Sequence, residues 1–277
     1  MPLLQSLAAK VSGLIGRDSL LVRALRPAYE AMLDLWSWGH GYLHTVNGIE
    51  QFYVAPRNRG LYPISYDAPV MDYLRAHVRP GQTCINVGAN AGVHTMCLAL
   101  WAGPDGHVYA FEPNPAMRVV IEDTARRNRL DDRIEARAEA VGARSGTATL
   151  QVAEELTGFS RLDQPNPQAK DVPHHPFTVS VTTLDQFCLE HHVIPDWLVM
   201  DIEGYEVAAL EGARDVIRAG RGRLGLVVEM HPSLWEISGT SRGALERLLD
   251  ELGLHPVALT GQRDPLADYG IVRLDYT

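Results

Sequence analysis

Apolar side chains over residues 1–40 recur at the spacing of an amphipathic helix. The pattern predicts a first helix that Gly16 ends and a second helix over residues 19–36, in which Pro27 either bends the helix or starts it. Basic residues outnumber acidic ones over residues 1–27. A basic amphipathic helix can lie on a membrane surface, but packing on the main domain or on a partner subunit explains the pattern as well. A peripheral contact and a homo-oligomer contact through residues 1–40 both stay open.

The apolar positions then take the spacing of strands. Two apolar stretches over residues 42–54 flank Asn47-Gly48, and this dipeptide between such stretches predicts a β-hairpin. After a proline-containing loop, a helix is predicted over residues 67–78. We therefore predict an N-terminal helical and hairpin cap over residues 1–63.

From residue 83 onward, short apolar runs alternate with amphipathic stretches. This alternation predicts an α/β domain over residues 64–277, built around a mainly parallel sheet. The predicted strands are 83–87, 107–111, 134–138, 146–152, 177–182, 197–201, 225–230, 255–259 and 269–274. The predicted helices are 93–100, 115–128, 183–191, 206–219 and 242–252. Two adjacent strands, 146–152 and 177–182, interrupt the alternation, and a long polar loop over residues 154–175 separates them.

The composition excludes several classes of protein. Hydrophobic residues make up 46% and charged residues 21%, as in globular proteins, so global disorder is excluded. A formal charge of −9 makes the chain a poor binder of phosphate backbones, and we expect no nucleic-acid partner. The three cysteines are widely spaced, which argues against a disulfide framework or a structural zinc site and favours buried core positions. Because the sequence contains neither an apolar run of about 18 residues nor a secretory signal, we expect a soluble cytoplasmic protein.

A glycine-rich turn follows the strand 83–87. Gly88 permits a tight turn and a close approach of the backbone, and Asn90 tolerates left-handed backbone angles. Gly92 allows the next helix to lie close to the strand. The free amides at the start of that helix can bind an oxygen-rich group. A purely structural turn explains these glycines as well, so the turn alone does not identify a ligand.

Glu112 strengthens the interpretation. It follows the strand 107–111 and lies 24 residues after Gly88. A carboxylate at this position, at the end of the second strand, can hold the hydroxyls of a ribose. The two segments predict an adenosine-type cofactor, either NAD or S-adenosylmethionine. The Gly-x-Asn-x-Gly turn and the lack of a Tyr-x-x-x-Lys pair favour S-adenosylmethionine, and an NAD-dependent oxidoreductase or epimerase stays the alternative.

Three segments resemble the FkbM family of S-adenosylmethionine-dependent methyltransferases. They are Ile-Asn-Val-Gly-Ala-Asn-Ala-Gly at 85–92, Phe-Glu-Pro-Asn-Pro at 111–115 and Met-Asp-Ile-Glu-Gly-Tyr-Glu at 200–206, the last followed by Leu-Glu-Gly-Ala. The resemblance covers about residues 64–233. It implies the class I methyltransferase fold, which is Rossmann-like with a seven-stranded, mainly parallel sheet. It also implies methylation of a hydroxyl on a sugar, a glycoside or a secondary metabolite.

The same resemblance implies which residues bind the cofactor. Gly88, Ala89, Asn90 and Gly92 would surround its methionine end, with Asp67 on the same side. Glu112 would hold the ribose, Pro113 and Asn114 would flank the adenosine, and Glu139 and Ala140 would lie near the adenine. Asn86 and Asp201 complete the set, and the segment 157–162 would face the pocket. Asn86 departs from the family, which usually carries Asp there, but its amide can accept and donate hydrogen bonds, so we expect binding to survive.

Four ionisable residues end two strands that we expect to be neighbours. They are Asp201, Glu203, Glu229 and His231. Ligands of open α/β sheets bind beyond the carboxyl ends of the strands, so we expect these residues beside the transferred methyl group. His231 or Asp201 would be the general base, with Glu203 and Glu229 orienting.

Each of these roles has an alternative. Asp201 and Glu229 could instead hold Mg²⁺, which would lower the pKa of an acceptor hydroxyl. Glu203 and, with more weight, Glu206 could instead only cap the start of a helix, where acidic residues are favoured. His231 could be an ordinary loop residue. A catalytically lapsed cofactor-binding protein is a further possibility.

The acceptor is predicted to be a small molecule or a glycan. Aromatic and histidine side chains near the hairpin could stack on a sugar or on an aromatic acceptor, although core packing explains most of them. They are Trp36, Trp38, His40, Tyr42, His44 and Tyr53.

Overall fold

The computed structural model describes residues 20–154 and 156–277. The chain divides into two compact units, Met1–Ile64 and Ser65–Thr277. The first predicted helix, before Gly16, lies outside the described residues. Within the described ranges, no helix combines the length and the apolar character needed to cross a membrane. The division into domains at 63 and 64 stays a prediction.

The described part of the first unit contains a long helix and a hairpin. Helix α1 (Leu20–Trp36) includes Pro27, so the proline does not start the helix. Strands β1 (Tyr42–Val46) and β2 (Glu50–Val54) pair antiparallel, which confirms the predicted hairpin. Asn47 and Gly48 have φ angles of 51° and 74°, the left-handed backbone that this turn requires. A 3₁₀ helix (Pro56–Leu61) follows.

The second unit is an α/β structure. Its strands are β3 (Thr83–Val87), β4 (His107–Phe111), β5 (Ile134–Arg137), β6 (Ala140–Val141), β7 (Gly146–Ala153), β8 (Arg161–Leu162), β9 (His174–Thr182), β10 (Trp197–Met200), β11 (Gly225–Met230), β12 (Leu254–Ala258) and β13 (Gly270–Tyr276). Its helices are α2 (Ala68–His77), α3 (Val93–Ala102), α4 (Pro115–Arg127), α5 (Leu184–Glu190), α6 (Glu206–Glu211), α7 (Arg214–Ala219), α8 (Pro232–Trp235) and α9 (Arg242–Leu252).

Seven strands form the main sheet, in the order β12-β13-β11-β10-β3-β4-β5. The five strands from β11 to β5 pair in parallel, and β13 runs antiparallel to both of its neighbours. The predicted α/β class with a seven-stranded, mainly parallel sheet is therefore confirmed. Strands β11, β10, β3 and β4 are adjacent and parallel, so their carboxyl ends meet at one edge of the sheet.

The core lies on both faces of this sheet, as a parallel sheet requires. Every residue of β10 is buried, and so are Cys84–Val87 of β3. The three cysteines, Cys84, Cys97 and Cys188, are buried and free, as predicted.

The two predicted strands that interrupt the alternation are β7 and β9, which pair antiparallel. They belong to a second, four-stranded sheet of order β6-β9-β7-β8. The predicted loop 154–175 is not wholly irregular, because it contains β8, which pairs with β7. The two residues of β8 are too few to show an alternating pattern, which is why the sequence does not reveal this strand.

The prediction of one continuous helix over residues 206–219 is wrong. It divides into α6 and α7 around Gly212. A Cβ atom on Gly212 would lie 2.1 Å from the carbonyl oxygen of Gly142. The chain passes so close to its neighbour here that a side chain is excluded.

Candidate active site

A cleft opens where β3, β4 and β10 end, and the space within its walls, open solvent included, is about 640 Å³. Eight of the predicted site residues line it: Gly88, Asn90, Glu112, Pro113, Glu139, Ala140, Asp201 and Glu203. The cleft therefore collects residues from four separate segments of the sequence at the expected edge of the sheet.

The glycine turn has the backbone geometry that the sequence predicts. Gly88, Asn90 and Gly92 have φ angles of 79°, 47° and 89°. A Cβ atom on Gly88 would lie 1.7 Å from the carbonyl oxygen of Asp201. Close packing of the turn against the end of β10 therefore requires glycine at position 88, independently of any ligand.

Glu112 joins the turn to the end of β4. Its Oε2 accepts a hydrogen bond from the Asn90 amide at 2.7 Å, and its Oε1 accepts one from the Asn114 amide at 2.8 Å. Burial raises the pKa of this carboxyl to about 7, although both amide hydrogen bonds act in the opposite direction. Each carboxylate oxygen can accept more than one hydrogen bond, so Glu112 can also bind hydroxyls in the cleft.

Five predicted cofactor residues lie outside the cleft lining: Asp67, Asn86, Ala89, Gly92 and Asn114. The Asn86 side chain is buried, accepts a hydrogen bond from the Thr95 hydroxyl at 2.8 Å and donates to the Val199 carbonyl. The Asn114 side chain caps helix α4 by accepting from the Ala116 amide. These two asparagines hold the walls of the cleft in position.

Asp67 precedes helix α2 and has a φ angle of 35°. Burial and the nearby Glu229 carboxylate raise its pKa to about 6. Asp67 therefore interacts electrostatically with the acidic end of β11.

The segment 157–162 covers one side of the cleft, as predicted. Thr157, Gly158, Ser160, Arg161 and Leu162 all line it. The Thr157 hydroxyl donates to the Asn90 side-chain oxygen at 3.0 Å, which connects this segment to the glycine turn.

His231 lies at the centre of a group of carboxylates. Its Nε2 is 3.8 Å from Oε2 of Glu203 and 3.9 Å from an oxygen of both Asp201 and Glu229. These distances exceed a direct hydrogen bond, so an additional oxygen can bridge the groups. The structure thus brings together all four predicted catalytic residues, although Glu229 and His231 lie behind the cleft lining rather than in it.

Glu206 fixes the other side of the His231 ring. The fully buried Glu206 Oε1 accepts from His231 Nδ1 at 2.8 Å and from the Gly204 amide at 2.8 Å, and its Oε2 accepts from Trp235 Nε1 at 2.9 Å. Because Nδ1 donates to this carboxylate, Nε2 is the nitrogen that faces the other acids. Glu206 lies at the start of helix α6, as the sequence predicts. Its contact with His231 is not predictable from the sequence.

The charges of this group depend on one another. Burial alone lowers the pKa of His231, but the hydrogen bond to Glu206 and the carboxylates of Glu206, Asp201 and Glu203 raise it to about 9. Desolvation and the Glu229 carboxylate raise the pKa of Asp201 well above its ordinary value, against the effect of His231. Burial also raises the pKa of Glu203, although His231 and the 2.8 Å hydrogen bond from Asn166 oppose the shift. The group can therefore accept, hold and release protons near neutral pH.

Two tyrosines lie close to these ionisable residues, and no pattern in the sequence indicates either of them. The Tyr269 hydroxyl donates to Glu229 Oε1, and its ring lies 5.4 Å from the His231 ring. Burial, followed by the charges of Asp201 and Asp67, raises the pKa of Tyr66 well above its ordinary value. Both tyrosines are therefore protonated near neutral pH.

The donor atoms do not suit the predicted Mg²⁺ alternative. Asp201, Glu229 and His231 each offer one ligand atom, and these atoms lie within 4.8 Å of one another. Magnesium prefers oxygen ligands in octahedral geometry, whereas an imidazole among the donors is typical of transition metals. A Mg²⁺ ion held by Asp201 and Glu229 would lie beside His231, whose pKa the carboxylates of Glu206, Asp201 and Glu203 raise to about 9.

The chain matches one family model, described as the methyltransferase FkbM domain, over residues 86–255. No curated protein matches it. A solved FkbM methyltransferase from Methylobacillus flagellatus KT is 17% identical, with 73% of this chain and 50% of that protein covered and a TM-score of 0.46. The chain thus spans about half the length of that protein.

Two further solved structures are similar to a comparable degree. The S-adenosylmethionine-dependent O-methyltransferase TM0748 from Thermotoga maritima is 13% identical, covers 88% of this chain and 82% of its own, and has a TM-score of 0.42. Fibrillarin from Aeropyrum pernix, solved with bound S-adenosyl-L-methionine, is 15% identical and has a TM-score of 0.41. The match covers 84% of this chain and 82% of that fibrillarin.

Proposed function

We propose that this chain, which belongs to the FkbM methyltransferase family, transfers a methyl group from S-adenosylmethionine to a hydroxyl of a sugar, a glycoside or a secondary metabolite. One observation carries the proposal. Glu112 and the glycine turn line the same cleft as Asp201 and Glu203, and the buried imidazole of His231 lies behind these two carboxylates, 3.8 to 3.9 Å from them. A carboxylate suited to a ribose therefore shares the cleft with two carboxylates that contact a candidate base.

The polar groups of the cleft support the choice of cofactor. Glu112 presents carboxylate oxygens to a ribose, and Asn90 lies at a turn whose backbone can approach an amino-acid group closely. Ala140 and the neighbouring apolar side chains of Val141 and Leu150 offer a surface for an adenine ring. When bound, S-adenosylmethionine supplies a methyl group on an activated sulfonium.

The carboxylates and His231 support transfer to oxygen. A hydroxyl is a weak nucleophile until a base accepts its proton. We infer that the acceptor hydroxyl bridges His231 Nε2 and the Asp201 and Glu203 carboxylates from the cleft side, because atoms 3.8 to 3.9 Å apart can both form hydrogen bonds to one oxygen beside them. The neutral imidazole then accepts the hydroxyl proton as the oxygen bonds to the methyl carbon and the carbon–sulfur bond breaks. Glu206 is a positioning residue, because it acts on the substrate only through His231.

Two measurements test the proposal. Calorimetry should detect binding of S-adenosylhomocysteine and none of NAD, because NAD binding belongs to the oxidoreductase alternative. Transfer of a labelled methyl group from S-adenosylmethionine should then be followed over sugar, glycoside and phenolic acceptors. Tight binding of S-adenosylhomocysteine with no transfer to any acceptor would favour the catalytically lapsed alternative, and binding of NAD alone would refute the cofactor assignment.

The remaining expectations about partners stay predictions. They are a small-molecule or glycan acceptor, no nucleic-acid partner, a cytoplasmic location and a homo-oligomer or peripheral contact through residues 1–40.

A further inference from the structure

Arg161 is a deeply buried cation in an acidic cleft. Its side chain is only 2% exposed. Among the described residues that line the cleft, Arg161 alone carries a positive charge, whereas Glu112, Glu139, Asp201 and Glu203 are acidic. Burying a guanidinium costs several kcal/mol unless charged or polar partners compensate it, so its position requires an explanation.

Two contacts fix the orientation of the guanidinium. Its Nη2 donates to the Ser238 hydroxyl at 2.7 Å, and Ser238 in turn donates to the Leu234 carbonyl at 3.1 Å. Its Cζ lies 5.6 Å from the centre of the Tyr205 ring, whose hydroxyl donates to Asp163 at 2.9 Å. The cation is thus held in one position without being neutralised.

Two further donor nitrogens of Arg161 are buried. Within the part of the chain that the structure describes, neither Nε nor Nη1 makes a hydrogen bond. Arginine is the side chain best suited to bind carboxylate, phosphate and sulfate oxygens, because its donors are planar and permanently charged. A buried arginine with free donors at the wall of a cleft is therefore a site for an anion.

We propose that Arg161 binds an anionic oxygen group of a molecule held in the cleft. The inference rests on the proposed function, which supplies two sources for this group. One is the carboxylate of the methionine part of S-adenosylmethionine, and the other is a carboxylate, phosphate or sulfate on the acceptor. The interaction selects for the anionic ligand and involves no proton transfer, because arginine stays protonated.

The first experiment measures cofactor binding by calorimetry. S-adenosylhomocysteine and its analogue lacking the carboxylate are titrated into the wild-type protein, Arg161→Gln and the control Arg242→Gln, which changes an exposed arginine outside the cleft. If the cofactor supplies the anion, Arg161→Gln lowers the affinity for S-adenosylhomocysteine by about 10- to 100-fold and leaves that for the analogue unchanged. The control should bind both like the wild type.

The second experiment uses inorganic sulfate as the probe, with and without saturating S-adenosylhomocysteine and at constant ionic strength. If the acceptor supplies the anion, sulfate binds to the wild type and the control but not to Arg161→Gln, and the affinity for S-adenosylhomocysteine is the same in all three. Arg161→Met repeats both measurements if the glutamine variant does not fold.

Equal behaviour of Arg161→Gln and the wild type in both experiments would refute the role of Arg161. Failure of the wild type to bind S-adenosylhomocysteine would instead refute the proposed function. Comparison of sulfate binding by the wild type and Arg161→Gln would then test the role of Arg161 separately.

Discussion

The charge of Glu206 should control the ionisation of His231. Glu206→Gln preserves the size of the side chain but removes the negative charge 2.8 Å from His231 Nδ1. Glu206 now accepts hydrogen bonds from the Gly204 amide, His231 Nδ1 and Trp235 Nε1. The glutamine side chain would turn its own NH₂ donor towards one of these donors, so one hydrogen bond would be lost. We expect the pKa of His231 to fall from about 9 towards the ordinary value of 6.5.

The magnitude follows from this pKa. The difference between 6.5 and about 9 corresponds to about 3 kcal/mol in favour of the imidazolium. Glu206 provides the largest favourable contribution, and Asp201 and Glu203 provide the rest. Because the pKa is raised in the folded protein, this stabilisation is complete below about pH 6.5 and disappears as the pH rises through about 9. Glu206→Gln should therefore reduce the free energy of unfolding more at pH 6 than at pH 10.

Two assays check this reasoning. Histidine resonances followed by NMR give the pKa of His231, and urea unfolding at pH 6 and pH 10 gives the stability difference. Exposed Glu236, on the turn after helix α8, provides the matched control Glu236→Gln. If His231 is the base, turnover of the wild type rises with pH up to about 9. In Glu206→Gln this rise should shift to lower pH while the maximal turnover falls. A His231 pKa that stays near 9 in the variant would contradict the argument.

The other predictions concern the cleft and the base. Glu112→Ala should weaken binding of S-adenosylhomocysteine by about 10- to 100-fold in calorimetry, and unchanged affinity would refute the ribose assignment. Gly88→Ala should lower the free energy of unfolding by about 3 kcal/mol, because the new Cβ meets the Asp201 carbonyl, whereas Gly146→Ala meets nothing and serves as the control. His231→Ala should reduce turnover about 100-fold or more without altering affinity for S-adenosylhomocysteine, and a loss of affinity instead would make His231 a binding residue. Methyl transfer should persist in EDTA, and a loss that Mg²⁺ restores would support the metal alternative.

The candidate cleft is largely predictable from the sequence because its signals are local. Gly88 and Asn90 directly follow an apolar strand, and Glu112 directly follows the next one. The rule that parallel strands end at one edge then brings these segments together. The same rule predicts that His231 lies near Asp201, since β10 and β11 are neighbours in the sheet.

The partners of His231 are not predictable in this way. Glu206 contacts His231, and Trp235 contacts Glu206, through the packing of two short helices. Tyr269 contacts Glu229 across 40 positions of the sequence. No periodic pattern encodes such contacts. Arg161 belongs to the segment 157–162 that the sequence places at the pocket, but only the packing shows how deeply its charge is buried.

The distribution of charge connects the two ends of the cleft. Near His231, the carboxylates of Asp201, Glu203 and Glu206 share one imidazolium. Desolvation raises the pKa of Asp201, and repulsion from the neighbouring carboxylates, that of Glu229 first, raises it further. A further positive charge at this end would lower that repulsion and make the neutral form of His231 easier to reach. Elsewhere on the cleft wall, Arg161 carries a positive charge that no acid among the described residues pairs with. The cleft thus favours a molecule that carries a cation towards Asp201 and an anion towards Arg161, and on the proposed function the sulfonium of the methyl donor supplies the first of these.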